Sequence, residues 1–504
     1  MNNDNLKNNW LLRGSSLLLI GLFLLLISDM RGSADLFAWF MFIPFILYVT
    51  LYHGVKSRLW LLLTLVTGSI LVLAKTTSLP VEVSLGFSIM TGTVIGLRYF
   101  VTFLAWDYIR KWTDNRISLI AFPVVVVTFE YLQAFFTAFG TWGSLAFTQV
   151  SNLPLLQSAS LFGFLGISAL MAWGAALLAS IILEHDLAQH KIHIILFIIV
   201  FVALNVWGDL RLSSVAQGKQ VLAAAIVNGV PFTGITPDPN DPEVLSLNQT
   251  LIERTRKAAR HGAELIVWGE ASTVVSEKGE ARFLRAFSRV AKSERVAIIA
   301  AYAIPLPKDQ QVKGEVMINK FNWIRNNGSI AETYLKHHPV PGEGSVPGVA
   351  PLKVIPTKYG NMAGDICYDD DFPEMSLRYS RLGADLVLNG GLDWPGMLIR
   401  HTLMARVHAI EGGFSFLRAA NGATSMGFDN KGRIRASMVA SEDNDHILLA
   451  SMPVKRTNTL YSRVGNLIAY IAIIALLTLF FIAGRNHLLT KKKSDKDYPL
   501  CQCN

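Results

Sequence analysis

The sequence predicts an α-helical membrane bundle of about eight transmembrane helices carrying an α/β domain, and three observations lead there. The 504 residues are 51% hydrophobic and only 16% charged, and mean hydropathy is positive, which is too apolar for an ordinary soluble enzyme. Seven long apolar segments crowd the amino-terminal part and an eighth lies near the other end. Between them the pattern changes to short β-type runs separated by polar, helix-like stretches.

The apolar segments run over roughly residues 10–28, 36–53, 58–75, 82–106, 117–137, 155–183, 191–208 and 464–483. Most approach the roughly 18–20 residues a helix needs to cross hydrocarbon, and the third and seventh are nearest the limit. The first has no small-residue cleavage site and is followed at once by another span, so it reads as an anchor. Lys7, Arg13, Lys56, Arg58, Arg110, Lys111, Arg116 and Lys191 fall on one side of the implied membrane, Arg31 and Lys75 on the other. The positive-inside rule then places the amino terminus in the cytoplasm and residues 209–463 outside it. The expected divisions are a seven-helix domain over 1–208, a catalytic domain over 209–463, an eighth helix over 464–484 and a basic cytoplasmic tail over 485–504. Topology therefore accounts for the net charge of +9 better than a nucleic-acid partner does.

Within 209–463 the runs VLAAAIV, ELIVWG, VAIIAAYAI, ADLVLNG, FSFLRAA and ILLASM predict strands. FNWIRNNGSIAETY reads as a hairpin, since Asn327 and Gly328 suit a tight turn with positive φ. Residues 233–244, rich in Pro and Asp, read as an exposed loop. Of the three cysteines, Cys501 and Cys503 lie in the polar tail, so Cys367 has no partner in its own domain and a disulfide framework is excluded there. No P-loop or zinc-ligand spacing occurs, and no cofactor is expected.

Three polar residues, each after a short β-prone run, carry the chemistry: Glu270 in LIVWGEAST, Lys336 in YLKHHPVPGEG and Cys367 in GDICYDDDFPE. A carboxylate base, a cation for an oxyanion and a thiol nucleophile suit acyl transfer through a thioester. Taken singly each has a bland reading, a surface ion pair for the first two and a small core residue for the thiol. Their combination, flanked by membrane segments, argues for chemistry at a membrane.

These motifs resemble the nitrilase superfamily, and with FNWIRNNGSIAETYLKHHPVP and MARVHAIEGGFSFLRAANGATSMGFDNKG the resemblance extends over nearly the whole chain to the apolipoprotein N-acyltransferase family. It implies an α-β-β-α sandwich with Glu270 as proton acceptor, Lys336 as oxyanion stabiliser and Cys367 as nucleophile. It further implies a monomeric enzyme of the bacterial cytoplasmic (inner) membrane whose catalytic domain is periplasmic. Its acyl donor would be a membrane phospholipid, and its acceptor the α-amino group of a diacylglyceryl-cysteine on an apolipoprotein. Glu343 matches a second family glutamate one residue early, and Tyr368 and Asp369 are supporting residues. Gly269 and Asp369 stand where the family has proline and glutamate; the glycine is expected to loosen the backbone before the base. Asn389, Asp393, Trp394, Arg406, Glu411 and Asn421 read as scaffold near the pocket, Trp142 as part of a lateral opening, and Arg98 as a snorkelling side chain. Glu130, inside an apolar segment, divides evenly between a functional or packing role and an interfacial position. Two other readings stay open: a membrane-tethered amidase or acyltransferase with a different amine acceptor, and a catalytically degenerate lipoprotein-binding scaffold.

Overall fold

The computed structural model describes residues 13–29, 34–77, 81–214, 218–230, 237–312, 314–439 and 445–497. Lys7, Arg31, Cys501 and Cys503 lie outside them. Six helices are long and apolar enough to cross a membrane: Val55–Ala74, Leu85–Lys111, Asn115–Phe136, Phe164–Glu184, Leu187–Ser213 and Leu467–Lys491. The first two expected spans are shorter, a helix over Gly14–Ser28 and a 3-10 turn followed by a helix over Asp35–Leu51. The expected span over 155–183 is broken at Gly163 (φ +68°), which ends the short helix Ala159–Phe162 and starts Phe164–Glu184. A side chain at this glycine would meet the Tyr461 ring at 2.6 Å, so the break is where the carboxy-terminal part of the chain packs against the bundle. Leu187–Ser213 exposes Ile192, Ile195, Ile198 and Ile199, a face suited to lipid.

Several charged residues inside the bundle have partners. Asp107 binds Arg58, Arg110 at 2.7 Å and Lys111 at 2.9 Å. Arg98 does not snorkel: it is buried and donates to Gly143 O at 2.5 Å, because the loop over 140–145 needs its carbonyls satisfied away from water. Glu130 serves the same loop, accepting from Leu145 N at 2.8 Å.

The α/β part holds two six-stranded sheets. The first has the order β12-β1-β2-β3-β4-β5, with β1 Lys219–Ile226, β2 Leu265–Trp268, β3 Ala297–Pro305, β4 Met317–Ile324, β5 Ile330–Leu335 and β12 Ile447–Val454. The second runs β11-β10-β9-β8-β7-β6, with β6 Ile355–Pro356, β7 Asn361–Ile366, β8 Leu386–Leu392, β9 Ser415–Asn421, β10 Thr424–Phe428 and β11 Ile434–Val439. The centres β1-β2-β3 and β7-β8-β9 are parallel, and apart from β7 their strands read as largely apolar runs because both faces are covered. Along β1 to β3, Ile226, Ile266, Trp268, Ile298 and Ala300 pack outward on Leu251, Phe283 and Phe287 of helices Pro242–Arg260 and Glu280–Glu294. The alternate residues Ala225, Val267 and Ile299 join the core shared with Leu388 and Leu417 of the second sheet. Helices Pro373–Leu382 and Arg400–Gly412 belong to the second sheet's outer layer, giving the expected α-β-β-α sandwich. At Gly390 a side chain would lie 2.5 Å from Trp268 O, so the sheets touch backbone to backbone there.

The hairpin forms as expected, with Gly328 at φ +84° and Asn327 accepting from Ser329 N at 2.9 Å. The Pro/Asp-rich stretch ends sooner than the sequence suggests: Asp241 caps a helix starting at Pro242, so Val244 is buried inside it. On β5, Glu332 is buried with Oε2 unpartnered among the described residues. Burial pushes it up to about 7, against the pull of Lys353. A carboxyl group raised above its unfolded value of about 4.3 is penalised once charged, so it costs stability as pH rises between these values. Glu332→Gln is therefore expected to stabilise by about 1–2 kcal/mol at pH 8 and by little at pH 5. Thermal unfolding at the two pH values checks it; an equal gain at both would mean that charge is not the cause.

Candidate active site

The three predicted residues sit just past strands of the parallel centres or their hairpin extension: Glu270 after β2, Lys336 after β5 and Cys367 after β7. Glu270 N donates to Gly391 O of the opposite sheet at 3.1 Å, fixing this residue between the sheets. Gly269 is not a loosening device. A side chain there would lie 2.5 to 2.7 Å from the Asn421 carboxamide, which donates to Glu270 O at 2.8 Å and accepts from Asn228 N at 2.8 Å. The glycine makes room for Asn421 to hold the backbone of Glu270. Ala271 (φ +44°) and Cys367 (φ +47°) both adopt the left-handed conformation, a strain of about 1–3 kcal/mol each that surrounding bonds must sustain.

Lys336 Nζ donates to Glu270 Oε1 at 2.7 Å and to Glu343 Oε2 at 2.5 Å. Asn319 Nδ2 bridges the same two carboxylates, at 2.6 Å to Glu270 and 3.1 Å to Glu343. Glu343 also accepts from Ser345 Oγ at 2.6 Å and from Val340 N at 2.8 Å. The glutamate that arrives one residue early in sequence thus reaches the lysine. Asn319 was not singled out by the sequence, and its signal is faint: a polar residue on an inward-facing strand position.

Burial pushes the Cys367 thiol well above its ordinary value; Glu270 adds to this, and Lys336 and Arg418 oppose it without prevailing. The balance favours a neutral thiol at Cys367 over the thiolate that a nearby lysine alone would favour. Burial also raises Glu270, with Lys336 lowering and Glu343 raising it, so this carboxylate is a stronger base than an exposed one. Lys336 loses by burial but gains more from Glu270 and Glu343 and stays an ammonium. Glu343 is raised by burial, yet Lys336, Ser345 and Val340 N bring it below its usual value, so it stays ionised.

Asp369 is buried and accepts four hydrogen bonds: from Tyr334 Oη at 2.7 Å, His337 N at 3.0 Å, His338 N at 2.7 Å and Ile366 N at 3.1 Å. The shorter aspartate thereby ties the backbone after Lys336 to the turn that carries Cys367. Tyr368 Oη donates to Ala138 O at 3.1 Å, and Thr141 N donates to Asp371 O at 3.0 Å, so the loop after helix Asn115–Phe136 rests on the nucleophile turn. Trp142 packs edge-on against Tyr368 and His401, and Phe87 lies between Trp142 and Trp394. Arg406, donating to Val150 O at 3.0 Å, and Glu411, accepting from Phe164 N at 2.6 Å, join the α/β part to the bundle.

A second charged group lies beside Cys367, and of its members the sequence pointed only to Asp393, as scaffold near the pocket. His401 contacts Asp393 at 2.6 Å and Asp371 at 2.7 Å; burial and Arg418 pull it down, but the two carboxylates outweigh them and push it up to about 9. Asp393, raised by burial, is brought well below the carboxylate range by His401 and Arg418. Arg418 Nη1 donates to Asp370 and to Asn389 at 3.0 Å each. Cys367, Asp393 and His401 present donor atoms within 4.8 Å of one another, the spacing a metal ion could use. Arg418 Nη2 already sits among them, 3.6 Å from Sγ, 3.2 Å from Asp393 and 3.1 Å from His401 Nδ1, so a guanidinium takes the place a cation would.

Residues 20–177 match the apolipoprotein N-acyltransferase N-terminal domain family and residues 223–460 match the carbon-nitrogen hydrolase family. A relative from Geobacter metallireducens named apolipoprotein N-acyltransferase is 24% identical over 406 residues, covering 75% of this chain and 76% of that protein. One of the same name from Shewanella oneidensis is 24% identical over 437 residues, 80% and 82% of the two chains. Among solved structures, an amidase from Nesterenkonia sp. aligns at 18% identity and TM-score 0.38, covering 51% of this chain and 97% of that one.

Proposed function

The chain belongs to the apolipoprotein N-acyltransferase family and is a multi-pass membrane enzyme with a carbon-nitrogen hydrolase domain; from that premise we propose that it moves a fatty acyl chain from a membrane phospholipid, through a Cys367 thioester, to the α-amino group of an apolipoprotein's diacylglyceryl-cysteine. The observation that carries this is the convergence of Glu270, Lys336 and Cys367 in one buried, aromatic-walled site.

In the first half-reaction Glu270 takes the Cys367 proton as sulfur bonds to the ester carbonyl carbon. The oxyanion faces Lys336, and the carbon–oxygen bond breaks as Glu270 returns the proton to the departing lysophospholipid. In the second, the amine attacks the thioester carbon, Glu270 accepts its proton, the carbon–sulfur bond breaks, and the proton passes to the sulfur. Glu343 holds Lys336 charged and in place, and Asp369 locks lysine and cysteine segments together. In this reading residues 209–463 face the periplasmic side of the inner membrane, with Lys111, Arg116 and Lys191 at cytoplasmic ends of the helices.

The test is intact-mass measurement of the purified protein incubated with phospholipid, beside Cys367→Ala. A fatty-acyl adduct on the wild type alone, discharged by a diacylglyceryl-cysteine peptide with matching release of lysophospholipid, is the expected result. Discharge by water or unrelated amines but not by the peptide would replace the acceptor, and absence of an adduct on folded protein would end the proposal.

A further inference from the structure

Arg418 lies on β9 with no solvent exposure, across from the nucleophile turn. Besides its carboxylate partners it approaches Cys367 twice, with Nη1 3.5 Å from the carbonyl oxygen and Nη2 3.6 Å from Sγ. Lys336, by contrast, directs its ammonium at Glu270 and Glu343. The fold makes deliberate room for this guanidinium: a side chain at Gly391 on the neighbouring strand would lie 2.8 Å from its Cζ, Nε and Nη2. Asp370, Asp393 and Asn389 then fix the plane of the fork, and His401, braced between Asp393 and Asp371, holds Asp393 in turn. Two of the three aspartates after Cys367-Tyr368 are thus explained: Asp370 pairs with Arg418, and Asp371 with His401.

We propose that Arg418 is a further catalytic residue, the cation that serves the sulfur itself while Lys336 serves the carbonyl oxygen. The division of labour rests on the thioester mechanism above. The sulfur carries negative charge at two moments, when its proton has gone to Glu270 and the carbon–sulfur bond is forming, and when that bond breaks under attack by the amine. A guanidinium at hydrogen-bonding distance stabilises charge at both, and leaves the neutral thioester between them untouched. The charged and titratable groups facing the sulfur are Glu270, Lys336, Arg418, Asp393 and His401, with Tyr368 in the same wall.

The experiment uses the full-length protein in detergent with Cys501 and Cys503 replaced by serine, and follows iodoacetamide alkylation of Cys367 against pH. Arg418→Gln is combined with Asp370→Asn so that one buried cation and its paired anion leave together. The alkylation midpoint is expected to move up by roughly one pH unit or more. Peptide-driven discharge of acyl-enzyme is expected to slow by about tenfold or more, with the phospholipid KM little changed. Gly391→Ala, which displaces the guanidinium without removing charge, is expected to shift the midpoint in the same direction. An unchanged midpoint in whichever of the two variants keeps the wild-type thermal transition overturns the proposal. Alkylation needs neither phospholipid nor acceptor, so failure of the acyl-adduct test would reject the thioester mechanism and still leave the sulfur–Arg418 contact measurable.

Discussion

Glu270→Gln is expected to cut the rate of acyl-enzyme formation by about 10²–10⁴-fold while the protein remains folded. Glutamine keeps an oxygen for Lys336 and Asn319, which now bind Glu270 Oε1 at 2.7 and 2.6 Å, so the local frame survives and only the proton acceptor goes. The thiol it serves is held neutral by burial, which leaves attack without a route for the proton. The pH profile separates this from a packing effect. A base works deprotonated, so the wild-type rate climbs with pH through the Glu270 transition, and that transition lies above the usual carboxylate range because burial raises it. The glutamine variant loses this limb altogether. Single-turnover acylation from pH 4 to 8 measures it, and a variant that kept the limb would assign it to another group.

Lys336→Met carries the second large effect, on activity and stability together. The ammonium is buried and holds two carboxylates at 2.7 and 2.5 Å; without it Glu270 and Glu343 confront each other across Asn319. Removing one partner from a buried ionic group costs about 3–5 kcal/mol, and loss of the oxyanion cation costs about 10²–10³-fold in rate. The raised Lys336 value means that its stabilisation is fully present below the unfolded lysine value of about 10.4, hence at every working pH. In the methionine variant the orphaned carboxylates must bind protons, so its deficit relative to wild type is smallest in acid and grows toward neutrality. Adding Glu343→Gln is expected to recover much of the stability and none of the activity. Thermal unfolding between pH 5 and 8 and acylation rates check both halves; a double variant as unstable as the single one would show that carboxylate repulsion is not the cause.

Much of the chain was legible because its signals are local. Apolar length marked the spans, six of which have membrane-crossing length, and a break at Gly163 escaped notice because hydropathy does not register one left-handed residue. The parallel strands announced themselves as apolar runs. Strand β7, whose sequence Asn-Met-Ala-Gly-Asp-Ile mixes glycine and a buried carboxylate, was marked only as the β-prone run before Cys367, and the short β10 and β11 were not marked, since their places depend on neighbours rather than on periodicity.

The site divides in the same way. Glu270, Lys336 and Cys367 could be named from residue type and order, since few combinations of base, cation and thiol follow three β-prone runs. Glu343 reaches Lys336 in spite of its shifted position because loop backbone absorbs one residue. Gly269 was misread, because what it permits is the approach of Asn421, a residue far along the chain. Of the group Asp370, Asp371, Asp393, His401 and Arg418 the sequence pointed only to Asp393, as scaffold, for the same reason: its members come from a turn, a strand end, a helix and a strand, and charge alone in a sequence does not say which charges meet. By itself the sequence determined the membrane bundle and the α/β class and pointed to Glu270, Lys336 and Cys367 as the proposed reacting residues, all of which depend on composition and short-range pattern. Tertiary structure alone decided the protonation of the thiol, the reach of Glu343 and the guanidinium at the sulfur, because burial and the pairing of distant charges exist only once the two sheets close on one another.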